Sequence, residues 1–216
     1  MNKSHSNAKR FALIALATFV ASELAVPLEV LLSRGKTGVL GTAPIMGKWL
    51  IFNWIVPILV VYTIEKKDDK SLGLWIPKDK LIRYMIYAFA GLVLPGIFVG
   101  FDKNLLGEFL EQVIYIGLAE EFYYRGYLMP RLCQWLGKWQ GLLLTSFLFG
   151  LGHITFRVVY HGFDAILPAV SAGAQAFIGG LIFGYIFLRA KNIWPSAIIH
   201  VSTNLYLSEI LSSLMF

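Results

Sequence analysis

Cysteine is all but missing from this chain, with Cys133 alone among 216 residues. A single thiol cannot close an internal disulfide or pair with a second cysteine at a metal, so a disulfide-stapled scaffold and a cysteine-based zinc site are both excluded. Cys133 reads as a small helix-packing residue. Charge is scarce as well. Asp, Glu, Lys and Arg make up 15% of the residues, against about 25% in a typical soluble domain. With 57% hydrophobic residues and a mean hydropathy of +0.65, a water-soluble globule is ruled out. No Walker, dinucleotide-binding or H-E-x-x-H pattern occurs, and the second half does not repeat the first. Acidic residues are the minority, 13 against 19 basic ones. The basic residues fall in short loops and at helix ends, as the positive-inside rule requires. The net charge of +6 therefore reports topology, and no nucleic-acid partner is expected.

What the chain does have is long apolar blocks. A membrane-crossing helix takes about 20 apolar residues, and such blocks use up nearly the whole sequence. The expectation is an all-α polytopic transmembrane bundle of about seven spans, six to eight, in one domain. Residues 1–104 supply its N-terminal helices and 105–216 its core. Met1 to Arg10 is basic, and Phe11 to about Ser33 is too long for a secretory signal core, so it is expected to remain as the first span. Glu23 and Glu29 flank Pro27 inside it, the mark of a polar interior face or a kink on one reading and, on the preferred one, of carboxyls near the far interface or bonded to a neighbouring helix.

A glycine-rich connector, Gly35 to Gly47, leads to a second span, about Lys48 to Ile64, with Trp49 and Trp54 placed as interfacial anchors. Lys66, Lys67, Lys70, Lys78, Lys80 and Arg83 follow, which puts this loop and the N-terminus on the cytoplasmic side. The third span, about Leu81 to Phe101, contains Gly91, Pro95 and Gly96 and ends in a polar break at Asp102 to Asn104. The fourth, about Leu105 to Trp135, is longer than a bilayer needs, and Glu108 and Glu111 suggest an interfacial turn at its start. Spans five, about Trp139 to Ile154, and six, about Ala165 to Leu188, enclose a loop with Arg157, His161 and Asp164. Gly173, Gly179, Gly180 and Gly184 mark span six for close packing. The seventh starts near Trp194-Pro195.

The fourth span holds Glu120, Glu121 and Arg125, and charges at such depth are expensive enough to imply a polar interior and a task. Four residues apart on a helix, Glu121 and Arg125 share a face and can pair, while Glu120 is rotated about 100° away and free to point elsewhere. His153 in span five and His200 in span seven enter the same environment, and Asn204 follows His200 by one turn on the same face. One carboxylate, two imidazoles and an amide can activate a water and hold an oxyanion, which is what peptide hydrolysis without a protein nucleophile requires. Phe149, Tyr123 and Tyr124 read as packing and cavity wall.

E-E-x-x-x-R at Glu120, Glu121 and Arg125, F-x-x-x-H at Phe149 and His153, and H-x-x-x-N at His200 and Asn204 resemble the three motifs of the CPBP intramembrane proteases. That family includes the type II CAAX prenyl endopeptidases and the bacterial Abi proteins, some linked to bacteriocin immunity. The resemblance runs from about Glu108 to Leu207 with the motifs in the family's order. It implies that Glu120 and His153 activate the hydrolytic water, that His200 and Asn204 stabilise the oxyanion, and that Glu121 and Arg125 support the site. It also leaves room for zinc on Glu120, His153 and His200, a His2Glu set that catalytic zinc accepts, although Asn204 fits a zinc site poorly. Metal-independent activation is the preferred expectation.

The expected activity is therefore endopeptidase cleavage of a membrane-associated peptide or protein, prenylated CAAX-type or bacteriocin-like, at a bacterial plasma membrane with the N-terminus cytoplasmic. The alternatives are a non-catalytic immunity or scaffold protein of the same family and a proton-coupled transporter. The missing internal repeat weighs against the transporter.

Overall fold

The computed structural model describes residues 3–33, 45–99 and 105–214, nearly all of them helical, with no strand among the described residues. An apolar chain in lipid has little choice, because backbone groups that cannot reach water must be paired within the helix. The helices are α1 (Lys3–Ser33), α2 (Ile45–Glu65), α3 (Lys78–Ile97), α4 (Leu105–Ile114), α5 (117–136), α6 (Lys138–His161), α7 (Ile166–Ala190) and α8 (Trp194–Leu214). Since α4 and α5 are two parts of one broken rod, there are seven rods among the described residues. Five apolar helices are long enough to cross a membrane: α1, α2, α3, α6, and α7 together with the 3-10 turn before it. The expected Gly35 to Gly47 connector, up to the start of α2, and the break at Asp102 to Asn104 lie outside the described residues.

The break in the fourth rod falls at Tyr115 and Ile116, the latter at φ −114°, ψ −95°. Both of their amides turn back to the Glu111 carbonyl, at 2.9 and 3.2 Å. The indole of Trp54 donates to the Ile114 carbonyl at 2.7 Å, satisfying one acceptor that the interrupted helix exposes. Gly117 lets the start of α5 seat against α8, since a Cβ there would lie 2.7 Å from Val201 Cγ2. The two expected interfacial tryptophans are thus used internally. Trp54 stacks on Phe122 at 4.7 Å between centroids, and Trp49 lines a cavity described below.

α6 and α7 form the closest pair. A Cβ on Gly150 would stand 2.6 Å from the Gly173 carbonyl, and one on Gly180 would stand 3.0 Å from Ser146. Gly184 receives Leu142. Small residues at the crossing bring the backbones together, which is how helices associate where lipid is as apolar as leucine. Gly179 lies off this seam, with only Phe183 nearby at 3.6 Å.

One end of the bundle is identified by its contacts. Arg131 of α5 holds Glu65 of α2 in a bidentate pair, 2.8 and 3.0 Å, with both side chains buried. The Ile193 amide donates to the Gly73 carbonyl at 3.0 Å, and the Trp194 indole donates to the Leu74 carbonyl at 2.9 Å. Lys67 lies over the ring of Phe11, 5.1 Å from its centroid. The start of α1, the 66–77 loop and the 191–193 turn therefore share one end. At the other end, Glu29 of α1 accepts from the Tyr160 hydroxyl at 2.5 Å and pairs with Lys48 at 3.6 Å.

Candidate active site

α5 begins in the interior of the bundle and widens to π-helical geometry from Glu121 to Leu128, a feature that recurs at functional sites. Every residue of that stretch is buried. Glu121 Oε1 lies 2.9 Å from Arg125 Nη1, both side chains at most 1% exposed. His200 reaches the same oxygen from α8, its Nδ1–H donating at 3.0 Å. The other ring nitrogen, Nε2, lies 3.6 Å from Glu120 Oε2. One imidazole thus spans two adjacent carboxylates. Both carboxylates are thus tied to α8 through one side chain.

Aromatic rings hold these groups. Phe149 is buried and its ring meets both imidazoles edge-on, 4.7 Å from His153 and 6.1 Å from His200. The ring of Phe183 stacks on His200 at 4.7 Å. The Arg125 guanidinium lies over Phe149 at 4.6 Å and Phe183 at 5.5 Å, so its charge is balanced by ring faces as well as by Glu121. His153 donates Nδ1–H to the Phe149 carbonyl at 2.9 Å, because a carbonyl can only accept. In the neutral ring this leaves the Nε2 lone pair free.

Glu120 and His153 line a common cavity of about 460 Å³, walled by α1, α2, the α4–α5 break and α6. Tyr123, Tyr124, Trp49 and Phe156 supply its apolar surface. Glu23 of α1 also lines it, with Oε2 buried and without a hydrogen-bond partner among the described residues. A Cβ on Gly152 would stand 3.3 Å from Glu23 Oε1 and 3.1 Å from the Tyr124 hydroxyl, so the glycine before His153 makes room for both. Glu29 fits the sequence expectation of a carboxyl bonded to neighbouring helices. Glu23 instead faces the cavity, the polar-interior alternative. Position in an apolar span was the only signal for Glu23, and it does not distinguish the two cases.

His200 does not line the cavity and touches it only through Glu120. Asn204 is farther removed. It is exposed, and its Nδ2 donates to Gln112 Oε1 at 2.8 Å, tying α8 to α4 beside the break. The structure therefore gathers Glu120, His153 and His200 around Phe149, sets Glu121 and Arg125 behind them, and leaves Asn204 outside. Among the described residues no three His, Cys, Asp or Glu side chains converge closely enough to hold a metal ion. Glu120, His153 and His200 thus do not form a ready zinc set. The arrangement suits proton transfer: a buried carboxylate and an imidazole with a free nitrogen share a cavity wall, and a second imidazole backs the carboxylate.

No curated protein and no solved structure gives a significant match to the chain. Residues 102–206 match the family described as Type II CAAX prenyl endopeptidase Rce1-like. That segment, just under half of the chain, contains the glutamate pair, Arg125, His153, His200 and Asn204, and over it the chain is similar to the Rce1-like type II CAAX prenyl endopeptidases.

Proposed function

We propose that this membrane protein is an intramembrane endopeptidase that hydrolyses a peptide bond of a membrane-associated substrate, with Glu120 as general base and no metal ion. The observation that carries the reading is the shared wall of Glu120 and His153 in a cavity of about 460 Å³, within the roughly 300–1,000 Å³ range of ligand sites. A water between the two groups gives its proton to Glu120 as its oxygen attacks the scissile carbonyl carbon. The proton then passes to the amide nitrogen as the C–N bond breaks, leaving a carboxylic acid and an amine, which end as carboxylate and ammonium once the acid's proton is passed on. His153, with Nε2 free, orients the water, and His200, its Nε2 3.6 Å from Glu120 Oε2, holds that carboxylate in place; the oxyanion role that the resemblance implies for His200 requires Nε2 to turn from Glu120 towards the substrate. General acid–base catalysis of this kind contributes about 10²–10⁴-fold.

Asn204 is the second oxyanion donor that the family resemblance implies. In the structure its amide is engaged with Gln112, so that role requires the bond to be exchanged for one to the substrate. Zinc on Glu120, His153 and His200 would require the three side chains to draw together from where they stand. Lys66, Lys67 and Lys70 at the basic end of the bundle support a cytoplasmic placement of that end by the positive-inside rule, and a bacterial plasma membrane is the proposed location.

The test is cleavage, by purified protein in detergent, of a panel of prenylated CAAX-type and bacteriocin-like membrane peptides. Wild type is expected to cut at least one member, and Glu120→Ala, folded by circular dichroism, none. Equal behaviour of the two proteins on every substrate, with biological activity kept in the mutant, would favour a non-catalytic immunity or scaffold protein.

A further inference from the structure

We infer that α4 is a gate on the cavity latched by Gln112, and that the movement which admits a substrate is the one that frees Asn204. The inference rests on the proposed function only in giving Asn204 an oxyanion to hold; the hinge and the latch stand without it.

α4 is the weakly held part of the cavity wall. From Leu106 to Ile114 none of its residues is buried, and only Phe109, Gln112 and Val113 are half-buried. Leu106, Leu110 and Ile114, one turn apart, make an exposed apolar face, and Glu108 and Glu111 are exposed on another. Lipid or water lies against those faces, and neither holds a helix as packed side chains do. α5 is the contrast. Just beyond the break every residue from Ala119 to Met129 is buried. Segments with few buried contacts open at low free energy while the packed core stays closed.

The joint between the two is a hinge. Ile116 has left helical dihedrals, at φ −114° and ψ −95°, and the amides of Tyr115 and Ile116 share the Glu111 carbonyl. The hydrogen-bond ladder is interrupted there, which is where a helical rod bends. Two side chains fasten α4 to its neighbours. Trp54 of α2 donates to the Ile114 carbonyl at the hinge itself, and Asn204 of α8 donates to Gln112 Oε1 at 2.8 Å. Gln112 Oε1 would lie 3.3 Å from a Cβ on Gly117, so this second fastening folds over the break.

Glu111, Tyr115 and Ile116 line the cavity, whereas Gln112 and Asn204 do not. The segment thus shows one face to the cavity and a neighbouring face to Asn204. Swinging α4 outward about Tyr115 and Ile116 widens the cavity at Glu111 and breaks the bond to Gln112. One movement then admits a peptide and releases the amide, an induced fit that completes the site only around a guest. The latch is light. A neutral hydrogen bond shifts the balance of latched and open states by a factor of about 2–10.

Gln112 lies outside the reacting groups, and two substitutions there pull the latch in opposite directions. Gln112→Glu keeps the length of the side chain and sets a carboxylate against Asn204 Nδ2, a charge-assisted and stronger bond. Gln112→Leu keeps the bulk and removes the bond. On a peptide that wild type cleaves, Gln112→Glu is expected to lower kcat/KM about tenfold, and Gln112→Leu to equal or exceed wild type. A residue that merely braces the helices would lose activity in both variants, and equal losses overturn the inference. The latch is also read without activity. Spin labels on Glu108→Cys and Phe163→Cys, both exposed in the native chain, are placed in a Cys133→Ser background, and their separation is measured by pulsed electron resonance in detergent. Gln112→Leu is expected to raise a displaced population and Gln112→Glu to suppress it; Gln112→Met replaces the leucine variant should that one not accumulate. An unchanged distance distribution on loss of the latch overturns the gate whatever the activity. A shifted distribution with no cleavage of any peptide by wild type would sink the protease reading while the gate stands.

Discussion

Glu120 and Glu121 are neighbours in sequence, yet His200 joins them through opposite nitrogens, Nδ1 at 3.0 Å from Glu121 and Nε2 at 3.6 Å from Glu120. The imidazole is therefore the link between the ion pair that supports α5 and the carboxylate that faces the cavity. Replacing His200 by Gln keeps a hydrogen bond to Glu121 but removes the ring nitrogen beside Glu120. Cleavage is expected to fall about 10²-fold or more, the usual cost of disturbing a general base, with kcat affected more than KM. Steady-state kinetics on a cleaved reporter peptide checks this, and a loss confined to KM would contradict it.

Glu121 and Arg125 form a buried pair in which each partner is a liability alone. Removing one buried charge and leaving the other costs about 3–5 kcal/mol, whereas replacing both by apolar groups is often near neutral. Arg125→Met and Glu121→Leu should each lower the unfolding midpoint in detergent sharply, and the double variant should recover much of the loss. Additive losses in this double-mutant cycle would show that the two side chains are not coupled.

The helix seam makes a contrast within one helix. A Cβ on Gly173 collides with Ile154 and lies 2.9 Å from the Gly150 carbonyl, while one on Gly179 meets only Phe183 at 3.6 Å. Gly173→Val is expected to destabilise by about 1–3 kcal/mol, the usual range for overpacking. Gly179→Ala should be tolerated. Thermal unfolding of the two purified variants in one detergent decides it.

Asn204 and Gln112 share one hydrogen bond of 2.8 Å across the α4–α8 joint. If the bond only ties the helices, Asn204→Ala and Gln112→Ala lose about the same 0.5–1.5 kcal/mol and cleave alike. If Asn204 also serves the oxyanion, its removal costs a further 10²–10³-fold in kcat that Gln112→Ala does not share. The proposed mechanism predicts the second pattern, and comparison of the two kcat values tests it.

The parts of this arrangement legible in the sequence are those written in helical spacing. The i, i+4 relation of Glu121 and Arg125 and the apolar blocks of the long helices are local patterns that the fold preserves, and so is the glycine seam apart from Gly179. What was not legible depends on contacts between distant segments. Glu65 meets Arg131 across 66 positions and Trp54 caps Ile114 across 60, and no periodicity announces either. The same holds for the turn of Glu23 into the cavity and of Asn204 away from it. One helix face can look inward or outward, and only the neighbouring helices decide which.

The central claim is that Glu120 activates water without a metal. Its most direct test is the cleavage rate of wild type and Glu120→Gln on one cleaved peptide, each with and without a strong chelator. The account predicts wild-type cleavage that survives the chelator and falls at least about 10²-fold in the variant. Cleavage abolished by the chelator and restored by zinc would contradict it.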